Sequence, residues 1–151
     1  MSDKDKKKIK LKIATQEKLV SEKEIDKITI PTTCGVITIL PDHIPLISTL
    51  CPGILEITKE KGQVTEMAIS GGFLEMHDNE LTILADTAER AEEIDLERAE
   101  KARQRANEAK QVKQKSMDEN QFAMILSQLD KQSARIKLAK KFRGRGKRRM
   151  R

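Results

Sequence analysis

The sequence predicts a β + α chain: an N-terminal antiparallel β-sandwich followed by a C-terminal antiparallel two-helix hairpin. Three observations predict it. From Ile9 to Ala85 apolar residues recur every second position, the period of a half-buried strand. All four prolines and five of the seven glycines fall in that half, spaced as turns. Residues 87–142 then contain no Gly or Pro and are rich in Ala, Glu, Lys, Arg and Gln, with apolar residues three and four apart, as on one face of a helix.

The first strand is read from Ile9, Leu11 and Ile13 alternating with Lys10 and Lys12. Ile28/Ile30, Leu55/Ile57 and Leu81/Ile83 repeat the spacing. Pro31, Gly35, Pro41-Asp42, Pro52-Gly53, Lys61-Gly62, Gly71-Gly72 and Asp78-Asn79 separate the strands, which implies about eight to ten of them in a compact antiparallel sandwich or barrel. The glycines of Ser70-Gly71-Gly72-Phe73 suit a bulge or a close backbone approach.

The first helix starts at Asp95 as N-cap, with Ile94 and Ala99 spaced as a hydrophobic staple. Leu96, Ala99, Ala102, Ala106 and Ala109 form its buried face. After a break near Lys115, Ser116 and Glu119 have capping-box spacing, and Phe122, Ile125, Leu126, Leu129, Ile136 and Ala139 form a second stripe. Each helix is expected to run about 20 residues, or about 30 Å. The chain then divides into a basic extension (1–8), a sandwich (9–88), a hairpin (89–142) and a basic tail (143–151). Each buried methyl or methylene contributes only about 0.8 kcal/mol, so an alanine seam suggests a hairpin close to balance between docked and undocked arrangements.

Composition excludes several functions. None of the 151 residues lies in an apolar run near the roughly 18 to 20 needed to span a membrane, and the N-terminus has no signal-peptide stretch. Aromatics are 2%, with no Trp or Tyr, which argues against base-stacking modules. Cys34 and Cys51 suit a reducing compartment and cannot alone form a four-ligand metal site. His43 and His77 sit in turn-like segments, and no nucleophile–base spacing or phosphate loop is present. No catalytic or metal-ligating set is predicted. The net charge of +6 is uneven: residues 1–12 carry +4, residues 137–151 carry +9, and the middle is −7. The tail, Lys141 to Arg151, is open to three readings: nucleic acid, an anionic surface or an acidic protein partner.

Helical spacing places Asp95, Arg98 and Arg105 on one side of the first helix. Antiparallel pairing brings Arg135 opposite Arg98 and Lys131 opposite Ala102. Such a cluster suits phosphate oxygens. It equally suits a solvated face paired with Glu97, Glu100 or Asp130, and spacing alone leaves both open.

The order ILPDHIPL (Ile39–Leu46), PGILEI (Pro52–Ile57), SGGFLEM (Ser70–Met76) and TILADTAERAEEIDLERA (Thr82–Ala99), before an alanine-rich hairpin, resembles the epsilon subunit of bacterial F-type ATP synthases, called delta in mitochondria. The likeness runs from about Ile9 to Lys141. It implies a non-catalytic rotor subunit of the central stalk, on the gamma subunit and the c-ring, that couples ion flow to ATP synthesis. It also implies a peripheral position on the cytoplasmic face of a bacterial plasma membrane, with no nucleic acid partner. In that family the loop matching Pro41, Asp42, His43, Ile44 and Pro45 approaches the c-ring. An extended hairpin inhibits hydrolysis by bringing basic residues, here Lys137, Lys140, Lys141 and Arg143, to the catalytic beta and alpha subunits. No cofactor is required; some members bind a regulatory ATP through IDxxRA. Ile94, Asp95, Arg98 and Ala99 match that motif, Glu89, Arg105 and Arg135 match supporting positions, and Lys131 stands where the pattern has arginine. Asp42 stands where the family commonly has glycine. The rival reading is an adaptor for nucleic acid or an anionic surface, acting through the tail.

Overall fold

A computed structural model describes residues 7–113 and 115–149. The strands are β1 (Ile9–Ala14), β2 (Leu19–Ile25), β3 (Lys27–Thr32), β4 (Gly35–Ile39), β5 (Leu46–Lys59), β6 (Gln63–His77), β7 (Glu80–Ala85) and β8 (Ala88–Arg90). The helices are α1 (Leu96–Lys113) and α2 (Glu119–Arg149). Residues 1–6 of the basic extension and 150–151 of the tail lie outside the described residues.

The sheet order is β2-β1-β7-β6-β5-β3-β4, with β8 beside β6. β5 and β6 are 14 and 15 residues long and pair along almost their whole length. The C-terminal half of β6 pairs β7, while Met67, Ala68 and Ile69 pair β8. One long hairpin thus supplies both layers of the sandwich. Its break falls between Leu50↔Gly72 and Pro52↔Ser70, where Gly71 and Gly72 have φ of +83° and +117°. This is the close approach expected of the double glycine.

Alternation does the packing. Ile9, Leu11 and Ile13 are buried while Lys10 and Lys12 face solvent. Ile28, Ile30, Leu55, Ile57, Met67, Leu74, Met76, Leu81 and Ile83 complete one continuous core from both layers. The eight strands among the described residues fall within the expected number. The sandwich is mostly antiparallel, as anticipated, but β1 lies parallel to β7. Alternation reports which face is buried and not which way the neighbour runs.

Asp95 caps α1 as expected: its Oδ1 accepts from the Arg98 backbone N–H at 3.0 Å, and Ile94 and Ala99 are both buried. At α2 the cap is Asp118, not Ser116; its Oδ1 accepts from the Gln121 N–H at 2.8 Å. α1 has 18 residues, near the expected length, but α2 has 31 and runs through Gly144 into the tail. A helical glycine costs only about 1 kcal/mol relative to alanine.

α2 lies between α1 and the sheet. Leu138 and Ala139 pack with Ala68 and Ile94, flanked by Ile54, Ala91 and Leu96. This second core is small, with two alanines among its four buried residues, beside the much larger isoleucine-rich sandwich core.

Candidate functional site

Where the hairpin meets the sandwich, a cleft of about 1080 Å³ opens, large enough for a small-molecule ligand. Its floor is the β1–β2 turn, Thr15 to Lys18, and the segment Asp86 to Glu89. One wall is the first turns of α1, with Asp95, Arg98, Ala102 and Arg105; the other is α2, with Lys131, Gln132 and Arg135. Arg98 and Arg105 share a wall because they are two helical turns apart, and Lys131 and Arg135 because they are one turn apart. Six of the eight nucleotide candidates, Glu89, Asp95, Arg98, Arg105, Lys131 and Arg135, therefore line one cleft. Ile94 and Ala99 do not line it; they are buried at the entry to α1.

The cations differ in state. Arg135 donates from Nε to Glu89 Oε2 at 2.7 Å and from Nη2 to Glu89 Oε1 at 3.0 Å, a planar two-pronged pair. Its Nη1 donates to Gln132 Oε1 at 2.8 Å, and Gln132 is buried. The side chains of Arg135 and Glu89 are 14% and 27% exposed, so the pair sits in a partly desolvated place where such bonds are strong. Glu97 pairs with Lys101 and Glu100 with Lys140. Among the described residues, Arg98, Arg105 and Lys131 have no ion-pair partner. The solvated-face reading would have Glu97, Glu100 or Asp130 neutralise these cations; Glu97 and Glu100 are spent on Lys101 and Lys140, and Asp130 makes no ion pair among the described residues. Chemically, the cleft can take an oxyanion-rich ligand against Arg98, Arg105 and Lys131, with Lys18 of the floor a fourth cation without an ion pair among the described residues. Arg135 keeps two further N–H donors, one on each terminal nitrogen, for a ligand while Glu89 and Gln132 hold the other three.

The loop Pro41–Pro45 lies elsewhere, beside the β6–β7 turn. Asp42 has φ +61°, and Ile44 is 75% exposed. His43 Nδ1 lies 2.7 Å from the Ile44 carbonyl. Exposed apolar side chains continue near it. Leu19, Leu84 and Phe73 are exposed in one row across β2, β1, β7 and β6, through Ala14.

The basic residues of α2 fall into two groups. Lys137 and Arg143 are exposed, with no ion pair among the described residues. Lys140 pairs with Glu100 at 3.0 Å, and Lys141 pairs with Glu66. Arg145 also reaches Glu66, at 3.1 Å. The Glu66 side chain is only 6% exposed, so two cations tie the end of α2 to β6. Glu66→Gln keeps the shape and removes the charge. We expect amide exchange in residues 141–149 to quicken several-fold, with the sandwich amides unchanged; equal protection in the variant would show that the pair does not hold the helix end.

Several residues of these sites were not picked out from sequence. Gln132 is one turn from Arg135, a spacing that had signalled only the arginine. Asn79 was readable only as a turn residue and Glu66 not at all, because their partners Asp42 and Lys141 lie 37 and 75 residues away.

The family described as the beta-sandwich domain of the ATP synthase delta/epsilon chain matches residues 8–91. The chain is 43% identical over 137 residues to the ATP synthase epsilon chain of Herpetosiphon aurantiacus, covering 91% of this chain and 98% of that one. It is 48% identical over 101 residues to the epsilon chain of Carboxydothermus hydrogenoformans, covering 67% and 75%. Among solved structures, a chain of the Euglena gracilis mitochondrial ATP synthase (OSCP/F1/c-ring) superposes with a TM-score of 0.67 at 31% identity, covering 82% of this chain and 76% of that one. A chain of the Tetrahymena thermophila mitochondrial ATP synthase central stalk and c-ring shares the fold, with a TM-score of 0.53 at 18% identity, covering 90% and 96%.

Proposed function

The chain belongs to the ATP synthase delta/epsilon family, and from that premise we propose that its hairpin is a nucleotide-responsive brake on ATP hydrolysis. The chain is an epsilon chain, a non-catalytic central-stalk subunit of an F-type ATP synthase. No helix among the described residues is long and apolar enough to cross a membrane.

The observation that carries the reading is the cleft. It joins cations from both helices to the edge of the sandwich, so a polyphosphate bound there bridges the two parts and favours the docked hairpin. The ligand we assign is ATP, held by Arg98, Arg105, Lys131 and Arg135, with Asp95 and Glu89 setting the arginine positions. The small second core supports a hairpin that can leave. At 100 times its dissociation constant, a ligand specific to the docked form favours it by about 2.7 kcal/mol, comparable to burying a few methyl groups. Undocking frees Lys141 from Glu66 of the sandwich, and parting of the two helices frees Lys140 from Glu100. Together with Lys137 and Arg143 they can then meet an acidic surface of the catalytic beta and alpha subunits.

In the same reading the exposed row Leu19–Leu84–Phe73 meets the gamma subunit, and Pro41 to Pro45 meets the c-ring. The chain then turns with the rotor on the cytoplasmic side of a bacterial membrane, coupling ion flow to synthesis. The adaptor alternative has no support in the matches, and two of its tail-end cations, Lys141 and Arg145, are engaged by Glu66.

The test compares ATP hydrolysis by the reconstituted complex carrying the full chain or one ending at Glu93, which keeps β8 in the sheet. We expect hydrolysis to rise several-fold on truncation, with millimolar ATP relieving much of the difference in the full-length complex. Equal hydrolysis at low ATP, with assembly intact, would reject the brake.

A further inference from the structure

We propose that Asn79 is a positioning residue for the loop Pro41–Pro45, pinning it through Asp42 so that Ile44 is held out from the sandwich. The inference rests on the reading of that loop as the c-ring contact, and deepens it.

The pin consists of reciprocal hydrogen bonds. The Asp42 backbone N–H donates to Asn79 Oδ1 at 2.6 Å, and Asn79 Nδ2 donates back to Asp42 Oδ1 at 3.0 Å. The other carboxylate oxygen, Oδ2, accepts from Lys7 Nζ at 2.9 Å. Asn79 is itself anchored, because its carbonyl accepts from the Lys10 N–H of β1 at 2.8 Å. The loop is thereby tied to a rigid two-residue hairpin turn and to the first strand.

The tie matters because Asp42 has φ +61°, a conformation that disfavours non-glycine residues. A glycine there adopts this φ freely and equally adopts others. Aspartate costs more in this conformation, and its side chain supplies the hydrogen bonds that hold it. The exchange trades a flexible turn for a fixed one. Beyond the turn, the His43 N–H donates to the Leu40 carbonyl at 3.3 Å. Leu40, Ile44 and Ile47 stand 53%, 75% and 76% exposed on either side of the pinned residue. An apolar contact set on a pre-ordered loop binds without losing the entropy of ordering it. The hydrogen bonds from Asn79, and next from Lys7, favour the ionised carboxyl and hold Asp42 below the ordinary carboxylate range. The pin therefore has a readout of its own.

The discriminating variant is Asn79→Gly. Asp78 and Asn79 have φ of +48° and +61°, as in a type I′ turn, where Asp-Gly is a favoured pair. The substitution keeps the hairpin and deletes only the amide. In the isolated full chain we expect the Asp42 amide to exchange at least tenfold faster and the Asp42 carboxyl to titrate closer to its ordinary value, with thermal stability held. We also expect capture by detergent-solubilised c-ring to fall several-fold; Asp42→Gly should fall likewise. Unchanged Asp42 exchange and titration in Asn79→Gly would overturn the pin. A loosened loop with undiminished capture would leave the pin standing and reject Pro41–Pro45 as the ring contact.

Discussion

Gly72→Ala should cost the chain much of its stability. A Cβ at Gly72 would lie 2.0 Å from the Leu84 carbonyl oxygen and 2.8 Å from the Ala85 Cα. Both belong to the backbone of β7, which pairs with β6 at this point, so relief requires the two strands to part. The φ of +117° adds strain that no L-residue escapes. We expect a loss of about 4 kcal/mol or more, at the upper end for single substitutions, out of the roughly 5–15 kcal/mol typical of a folded domain. Thermal unfolding followed by circular dichroism should then show Tm lower by about 8–16 °C. Gly35→Ala separates the two causes, since φ there is +113° but nothing lies within 4 Å of the added carbon. It should fall by much less. Equal falls in the two variants would assign the effect to backbone strain and not to the meeting of β6 with β7.

Arg135→Ala should both loosen the hairpin and weaken nucleotide binding. The substitution leaves the Glu89 carboxylate without its two-pronged partner and removes the donor to buried Gln132. Breaking a fully buried pair costs about 3–5 kcal/mol. Glu89 keeps about a quarter of its exposure, so on the order of 2 kcal/mol is expected, felt at α2 and not in the sandwich. Hydrogen exchange should show this as faster opening of residues 130–140 with β1–β7 unaltered. Titration with ATP should show affinity at least tenfold lower. Arg135→Lys should keep part of the affinity and lose the planar fork. Unchanged ATP affinity in Arg135→Ala would remove this residue from the binding set and leave it as a structural tie to Glu89.

These two residues show different depths of legibility. Gly71-Gly72 was readable as a close approach because consecutive glycines in a strand have few other uses. Arg135 was readable as a cation opposite Arg98, since helical spacing and a short turn place it there. Its bond to Glu89 was not, because a guanidinium selects its carboxylate by reach in three dimensions. The glycine that stops many helices did not stop α2 at Gly144 or Gly146, where about 2 kcal/mol of lost propensity met two ties to Glu66. Ser116 had the right chemistry for a cap, yet Asp118 lies nearer the first turn and took the role.

Local pattern was enough to set the division into strand and helix halves, the buried face of each element, the Asp95 cap and the grouping of Arg98 with Arg105. All of these follow from period and local hydrogen bonding within a few residues. The tertiary structure alone decided the parallel pairing of β1 with β7, the pairing of Arg135 with Glu89, the pin between Asn79 and Asp42, and the seating of the tail on Glu66. Each depends on groups 37 to 79 residues apart. Their meeting is set by how the long β5–β6 hairpin folds the sheet over its core, which no local pattern encodes.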